Sequence, residues 1–322
     1  MAIEHHFEEI NGLRYHYVTG GKGPAIAFLH GFPDIWSGWR RLMLSFIDAG
    51  YCVVAPDWRG FGGTEPSTGP ACNTVVDLTA DLVAILDKLG IAQTGIVGHD
   101  LGSEVGWAAV KMRPDRFGAI VSLSVPYVPR GELSLTRMIE SVAPPNFYFR
   151  YFLEEGLAEK ELDADPRTFL RRIFHTNSSH NPDGASPAMY VGETGLIDAL
   201  VEPGTLATLP SPEELDVYVE AFTRTGFAGA LDTYRSLHRG WELLAVFQDR
   251  TVDVPSFYIG GGWDLVLNLP GMRELVAGMP SALPQAEEPV IFPEVGHFIH
   301  WERPAEVFDL LLDFFNRRHP ER

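Results

Sequence analysis

Two cysteines, Cys52 and Cys72, are all that the 322 residues contain. That is too few for a disulfide framework or a cysteine-rich metal centre. Cys52 lies in the apolar run Tyr51-Cys52-Val53-Val54-Ala55 and reads as a small core residue. Basic residues are also scarce. Twenty-five Lys and Arg stand against 43 Asp and Glu, a net charge of −18, which argues against nucleic acid or an anionic membrane as partner and fits an acidic, solubilising surface. No stretch approaches the roughly 20 apolar residues that span a bilayer. The start, Met1 to Ile10, is polar and acidic rather than an apolar signal segment. A cytoplasmic protein is expected. Internal repeats and low-complexity tracts are missing too.

Hydrophobic residues, by contrast, make up 45% of the chain, enough for a large buried core. The first part alternates strand and helix signals. Arg14 to Val18 has strand alternation, followed by a turn at Thr19-Gly20-Gly21-Lys22-Gly23-Pro24. Ala25 to Leu29 and Tyr51 to Ala55 are continuous apolar runs, as in strands buried on both faces. Helices are predicted from about Trp36 to Asp48 and over Thr74 to Leu89, where Val75, Leu78, Leu82, Ile85, Leu86 and Leu89 share a face. Further strands are read at Gly95 to Val97, Phe117 to Leu123, Val254 to Ile259 and Val290 to Phe292, with a last amphipathic helix from Pro304 to about Arg318. Strands alternating with helices predict an α/β fold with a mostly parallel sheet flanked by helices. From about Pro126 to Val246 the pattern changes to helices, loops and many aromatics. Ser211-Pro212-Glu213-Glu214 is a capped helix start within it. This block reads as an inserted helical lobe.

The chemistry centres on Gly98-His99-Asp100-Leu101-Gly102, between a strand and a helix. Small residue, x, acid, x, small residue in that setting is the form of a nucleophile elbow, with Asp100 where serine is usual. The glycines are needed because the turn leaves no room for neighbouring side chains. A carboxylate is ionised near pH 7 and displaces at saturated carbon without a base to activate it. Open parallel sheets place their chemistry at strand ends. Besides Asp100, three candidates fall there: the loop His30-Gly31-Phe32-Pro33, Asp264 after Gly260-Gly261-Gly262-Trp263, and His297 in Pro293-Glu294-Val295-Gly296-His297. Nucleophile, acid, histidine is the chain order of a hydrolase triad on an α/β sheet. In that reading His297 takes a proton from water attacking the ester on Asp100, and Asp264 fixes its tautomer. The backbone amides of Phe32 and Leu101 form an oxyanion hole. Singly, each residue reads equally well as a turn, a cap or a buried histidine, and His300 competes with His297 for the base. The conjunction of four loops in order carries the reading.

With these residues in hand, the chain resembles the epoxide hydrolases of the α/β-hydrolase fold over nearly its whole length. The likeness includes Trp36-Ser37-Gly38-Trp39-Arg40, Asp57-Trp58-Arg59-Gly60-Phe61-Gly62, and two segments of the helical lobe. Phe147-Tyr148-Phe149-Arg150-Tyr151-Phe152 is similar to the family's first cap-tyrosine segment, and Gly226-Phe227-Ala228-Gly229-Ala230-Leu231-Asp232-Thr233-Tyr234-Arg235 to its second. The resemblance implies that Tyr148 and Tyr234 hydrogen-bond and protonate the epoxide oxygen, with Tyr151 a packing neighbour. It further implies substrate contacts from Trp36, Phe149 and Phe152, and no metal or organic cofactor.

Two departures from the family pattern matter. Leu101 stands where tryptophan is common, which shrinks the pocket wall and removes an N–H donor. That counts against a haloalkane or haloacid dehalogenase, the alternative that uses the same Asp nucleophile. The triple glycine before Trp263 is expected to loosen the Asp264 loop.

The expected architecture is a core of residues 1–126 and 246–322 with a helical cap over 127–245. The expected reaction is hydrolysis of a small apolar epoxide to a vicinal diol through an ester on Asp100. Phe147, Phe149, Phe152, Tyr218 and Phe222 suit an apolar pocket or the cap's own core. Oligomeric state is left open, with a cap-mediated homodimer one arrangement.

Overall fold

Apolar runs long enough to be covered on both sides demand helices above and below them, and that is the arrangement observed. The computed structural model describes residues 2–181, 189–203 and 210–319. Its strands are β1 (Glu4–Ile10), β2 (Leu13–Gly21), β3 (Ala25–Leu29), β4 (Cys52–Pro56), β5 (Thr94–His99), β6 (Phe117–Leu123), β7 (Ser256–Gly261) and β8 (Val290–Phe292). They form one sheet in the order β1-β2-β4-β3-β5-β6-β7-β8. From β4 to β8 every pairing is parallel, whereas β1–β2 and β2–β4 are antiparallel. β3 and β5 are buried at every position. β1 carries charges on an edge that water reaches, which an edge strand tolerates; its polar sequence hid it from the apolar-run reading. β2 also runs on through Gly20 and Gly21, into the first half of the predicted turn.

Helices α1 (Arg40–Asp48), α2 (Val75–Lys88) and α3 (Leu101–Met112) follow β3, β4 and β5. The helix predicted from Trp36 begins instead as a short 3₁₀ turn, Trp36–Trp39. Thr74 and Asp77 close a reciprocal capping box at the start of α2. Between β6 and β7 the chain runs through α4 (Leu135–Val142), α5 (Tyr148–Leu153), α6 (Leu157–Leu162), α7 (Pro166–Thr176), α8 (Pro212–Thr225) and α9 (Ala228–Leu243). Among the described residues this stretch has no strand, only the isolated bridges Phe147–Tyr190 and Gly192–Gly195. Ser211 and Glu214 cap α8 as the sequence predicts. α10 (Met272–Ala282), α11 (Ile299–Glu302) and α12 (Pro304–Arg318) complete the chain. Among the described residues no helix is long and apolar enough to cross a membrane.

Two buried clusters lie on opposite faces of the sheet. One packs α1 and α12 through Trp39, Phe46, Leu311 and Phe314. The other packs α2 and α3 and extends into α5, α7 and α9, so the inserted helices share a core with the sheet. A buried ion pair ties the loop after β4 to α2. Arg59 Nε and Nη2 donate to the two oxygens of Asp81 at 2.6 and 2.7 Å, and Arg59 Nη1 donates to the Cys72 carbonyl at 2.6 Å. Removing one member strands a buried charge. Asp81→Ala is therefore expected to lower stability by about 3–5 kcal/mol, read from the midpoint of urea unfolding.

Candidate active site

Asp100 sits between the last residue of β5 and the first of α3 with φ 53° and ψ −126°. Such a backbone is strained in a residue with a side chain. Close packing on both sides over-determines it. A Cβ on Gly98 would lie 2.6 Å from the Gly102 carbonyl oxygen, and one on Gly102 would lie 2.0 Å from that of Leu29. The turn lifts the carboxylate clear of the sheet end. Phe32 N–H donates to Asp100 Oδ1 at 2.9 Å, and the Leu101 N–H also donates to the carboxylate. The loop that brings Phe32 there is locked by His30. Its Nε2 accepts from Trp58 N–H at 3.1 Å, its Nδ1 donates to the Gly31 carbonyl at 2.9 Å, and its own carbonyl accepts from the Trp58 indole at 2.9 Å. Burial raises the Asp100 pKa above the ordinary value, offset in part by His297 and the two backbone donors.

His297 lies in the loop between β8 and α11. Its Nε2 is 3.7 Å from Asp100 Oδ2, and its Nδ1 donates to Asp264 Oδ1 at 2.9 Å. Asp264 is fully buried and also accepts from Val266 N–H. Burial by itself would depress the histidine, but the Asp264 charge and hydrogen bond, then the Asp100 charge, outweigh it and raise His297 to about 9. For Asp264 burial acts upward, yet His297 and a hydroxyl from Ser124 hold the carboxyl below its ordinary value. The triple glycine does not loosen this loop, contrary to expectation. A Cβ on Gly261 would lie 2.1 Å from the Gly296 carbonyl oxygen and one on Gly262 2.2 Å from that of Pro293. These glycines let the Asp264 loop press directly on the His297 loop.

Tyr148 at the start of α5 and Tyr234 in α9 line the same cavity as Asp100 and His297, together with Phe32, Phe152 and Phe298. Neither phenol has a hydrogen-bond partner among the described residues, and burial, then the Asp100 charge, raises both pKa values. Both stay protonated across the working range. Tyr151, by contrast, donates to Glu161 at 2.7 Å. Tyr234 is clamped by the rings of Phe32, Phe149 and Phe152 at 5.2–5.5 Å. A second, larger cavity opens from Asp100, Tyr148 and Tyr234 on the side of Leu101 and Phe149.

One expected substrate contact needs correction. Trp36 lines a separate cavity with Arg41, Tyr218 and Trp301. Its N–H is held by Asp57 Oδ1 at 2.8 Å, and its ring packs edge-on against His5 of β1 at 5.0 Å. The 3₁₀ turn faces it away from Asp100. Tyr218 and Phe222 of α8 likewise serve packing. Tyr218 donates to buried Asp34 at 2.7 Å, and Phe222 stacks on Phe227.

His300, the competing histidine, lies on Trp39 and 3.5 Å from Asp34. It does not reach Asp100. Asp34, His99 and His300 each bring one potential ligand atom within 4.8 Å of the others, the one such grouping among the described residues. Burial depresses both histidines, His300 to about 3, so both are neutral.

The sequence reading missed three supports of His297. His99 Nε2 donates to the His297 carbonyl at 2.9 Å, the Asn177 carbonyl accepts from His297 N–H at 2.8 Å, and Ser124 Oγ lies 3.1 Å from His297 Nδ1. His99 is the unnamed position of the elbow motif and had a signal of sorts. Ser124 and Asn177 had none.

A family model described as the alpha/beta hydrolase fold matches residues 24–304. The chain is 39% identical to epoxide hydrolase A of Mycobacterium tuberculosis over 95% of both chains. It is 36% identical to epoxide hydrolase 2 of Siraitia grosvenorii, covering 98% of this chain and 99% of that one. The chain belongs to the epoxide hydrolases of the α/β-hydrolase fold. The solved structure of epoxide hydrolase I of potato (Solanum tuberosum) superposes with a TM-score of 0.90 at 32% identity, covering 98% of this chain and 100% of that one. These comparisons do not favour a dehalogenase.

In this epoxide hydrolase a Cβ on Gly31 would sit 2.3 Å from Asp100 Oδ1. Gly31→Ala must push the carboxylate off its two donors. A displacement of that order costs about 100-fold in rate. We expect at least that loss in kcat/KM with an unchanged circular dichroism spectrum.

Proposed function

We propose that this epoxide hydrolase opens its substrate with Asp100 and releases a vicinal diol with His297. The observation that carries the reading is the convergence of a carboxylate, an imidazole backed by a second carboxylate, and two unpartnered phenols on one cavity. Asp100 attacks an oxirane carbon. A C–O bond forms to its carboxylate and the ring C–O bond breaks. The departing oxygen would be an alkoxide, far too basic to leave unaided, so it takes a proton from Tyr148 or Tyr234 while the other phenol hydrogen-bonds it.

Water then attacks the ester carbonyl of Asp100. His297 Nε2 takes its proton and Asp264 steadies the imidazolium. The tetrahedral oxyanion is held by the N–H groups of Phe32 and Leu101, the donors that held the free carboxylate. Collapse expels the diol oxygen, which takes the proton back from His297. The new carboxyl proton returns to the tyrosinate. The helical segment between β6 and β7 acts as the cap, because it carries both phenols over the nucleophile. Phe149 and Phe152 contribute apolar wall. A chain with only two cysteines suits a reducing compartment such as the cytoplasm.

In the free enzyme the Asp100 charge helps hold His297 at about 9. Esterification removes that charge, so the imidazole gives up its proton more readily when it is needed as a base. The decay of the ester should therefore speed up with pH to a plateau whose midpoint lies below 9. Rapid quench over roughly pH 5 to 10 measures it, and decay that slows with rising pH would remove His297 from the base role.

Alkylation does not need that base. His297→Gln is expected to accumulate the ester with turnover reduced by about 10⁴-fold, and Asp100→Asn to form none, both by intact-protein mass. In single turnover with oxygen-18 water, label must appear in the Asp100 peptide. Label only in the diol would mean direct attack of water on the epoxide.

A further inference from the structure

Two cavities meet at Asp100, Tyr148, Tyr234 and Val266, and their sizes differ by more than an order of magnitude. The arm on the His297 side is about 30 Å³ and is lined by Phe152, Ile173, Met189 and Phe298. The arm on the Leu101 side is about 650 Å³, walled by Leu133, Leu135, Met138, Ile139, Phe149 and Leu269. An oxirane held between the carboxylate and the phenols directs its substituents into these two arms. The small arm has room for about two waters, and the reaction already claims one place there, since the attacking water must lie beside His297 Nε2. A group larger than methyl would outgrow that volume and compete with that water.

Resting on the reaction proposed above, we infer that the preferred substrates are one-sided epoxides. One oxirane carbon carries a large apolar group, which lies in the Leu101 arm. The other carries hydrogen or methyl. The residue after the nucleophile helps set this preference: Leu101 is one wall of the large arm, and a bulkier side chain at that position would take up part of its volume.

Three isomers with the same apolar surface separate size of arm from general hydrophobicity: an epoxide at the end of a straight ten-carbon chain, one displaced by a single carbon, and the trans isomer at the centre of the chain. A trans epoxide sends its two chains to opposite sides of the ring. One methylene too many in a closed apolar pocket costs about 10- to 200-fold. The first two isomers are therefore expected to have similar kcat/KM, and the central one to be lower by at least about 30-fold. Ile173→Ala opens the small arm and should raise the central isomer by about 10-fold while changing the terminal one by less than about threefold. Met189→Ala enlarges the same wall and serves if the first variant does not fold. Equal kcat/KM for terminal and central isomers in the wild type would overturn the assignment of the arms while leaving the reaction standing. No turnover of any of the three would overturn both.

Discussion

The backbone of Asp100 is the constraint on which the site depends. Were β5 simply to continue, a side chain at this position would point to one face of the sheet. Here a left-handed φ, enforced by the contacts of Gly98 and Gly102, turns it out of the sheet end. There it meets the amides of Phe32 and Leu101 and the imidazole of His297. The strain persists because β3, β5 and α3 are packed too closely for the turn to relax. The same tightness recurs between the Asp264 and His297 loops, where Gly261 and Gly262 bring two backbones into contact. Glycine in this molecule serves close approach at both ends of the catalytic line.

Electrostatics follow from that geometry. Two carboxylates flank one imidazole in a buried space; the imidazole is held as a cation and the Asp264 carboxylate as an anion in the resting state, while burial pushes the Asp100 carboxyl upward against the pull of His297. In the reaction proposed, forming the ester cancels one of those charges, and the balance tips towards a neutral imidazole when a base is required. The phenols are held in the opposite sense. Burial and the neighbouring anion keep them protonated until an oxygen more basic than themselves appears between them. The phenols and the Asp264–His297 pair thus take their protonation states from their neighbours rather than from their intrinsic pKa values.

Much of the fold was legible. The strands Phe117–Leu123 and Val290–Phe292, the helix Pro304–Arg318 and the capped start of α8 appear where the sequence places them, because apolar periodicity and capping chemistry are local signals. β1 was missed, since an exposed edge strand can be charged, and the run of Trp36 was read as regular helix. The order of Asp100, Asp264 and His297 was equally readable, because strand ends and glycine turns announce themselves. The failures came where orientation matters. Trp36 is adjacent to the oxyanion loop in sequence but turned towards β1. The three glycines before Trp263 look like slack and act as a close-packed seam.

Local chemistry therefore suffices to name the elbow, the triad order and the helices, since each depends on residues within a turn or two of one another. The supports of His297 could not be read in this way. Ser124, Asn177 and His99 are brought to it by three different elements, and nothing along the chain links them. The two unequal arms of the pocket are likewise a property of packing. Their walls come from α4, α5, α7, α9 and the loops after β7 and β8, and the space left between such surfaces depends on how they meet rather than on what each one contains.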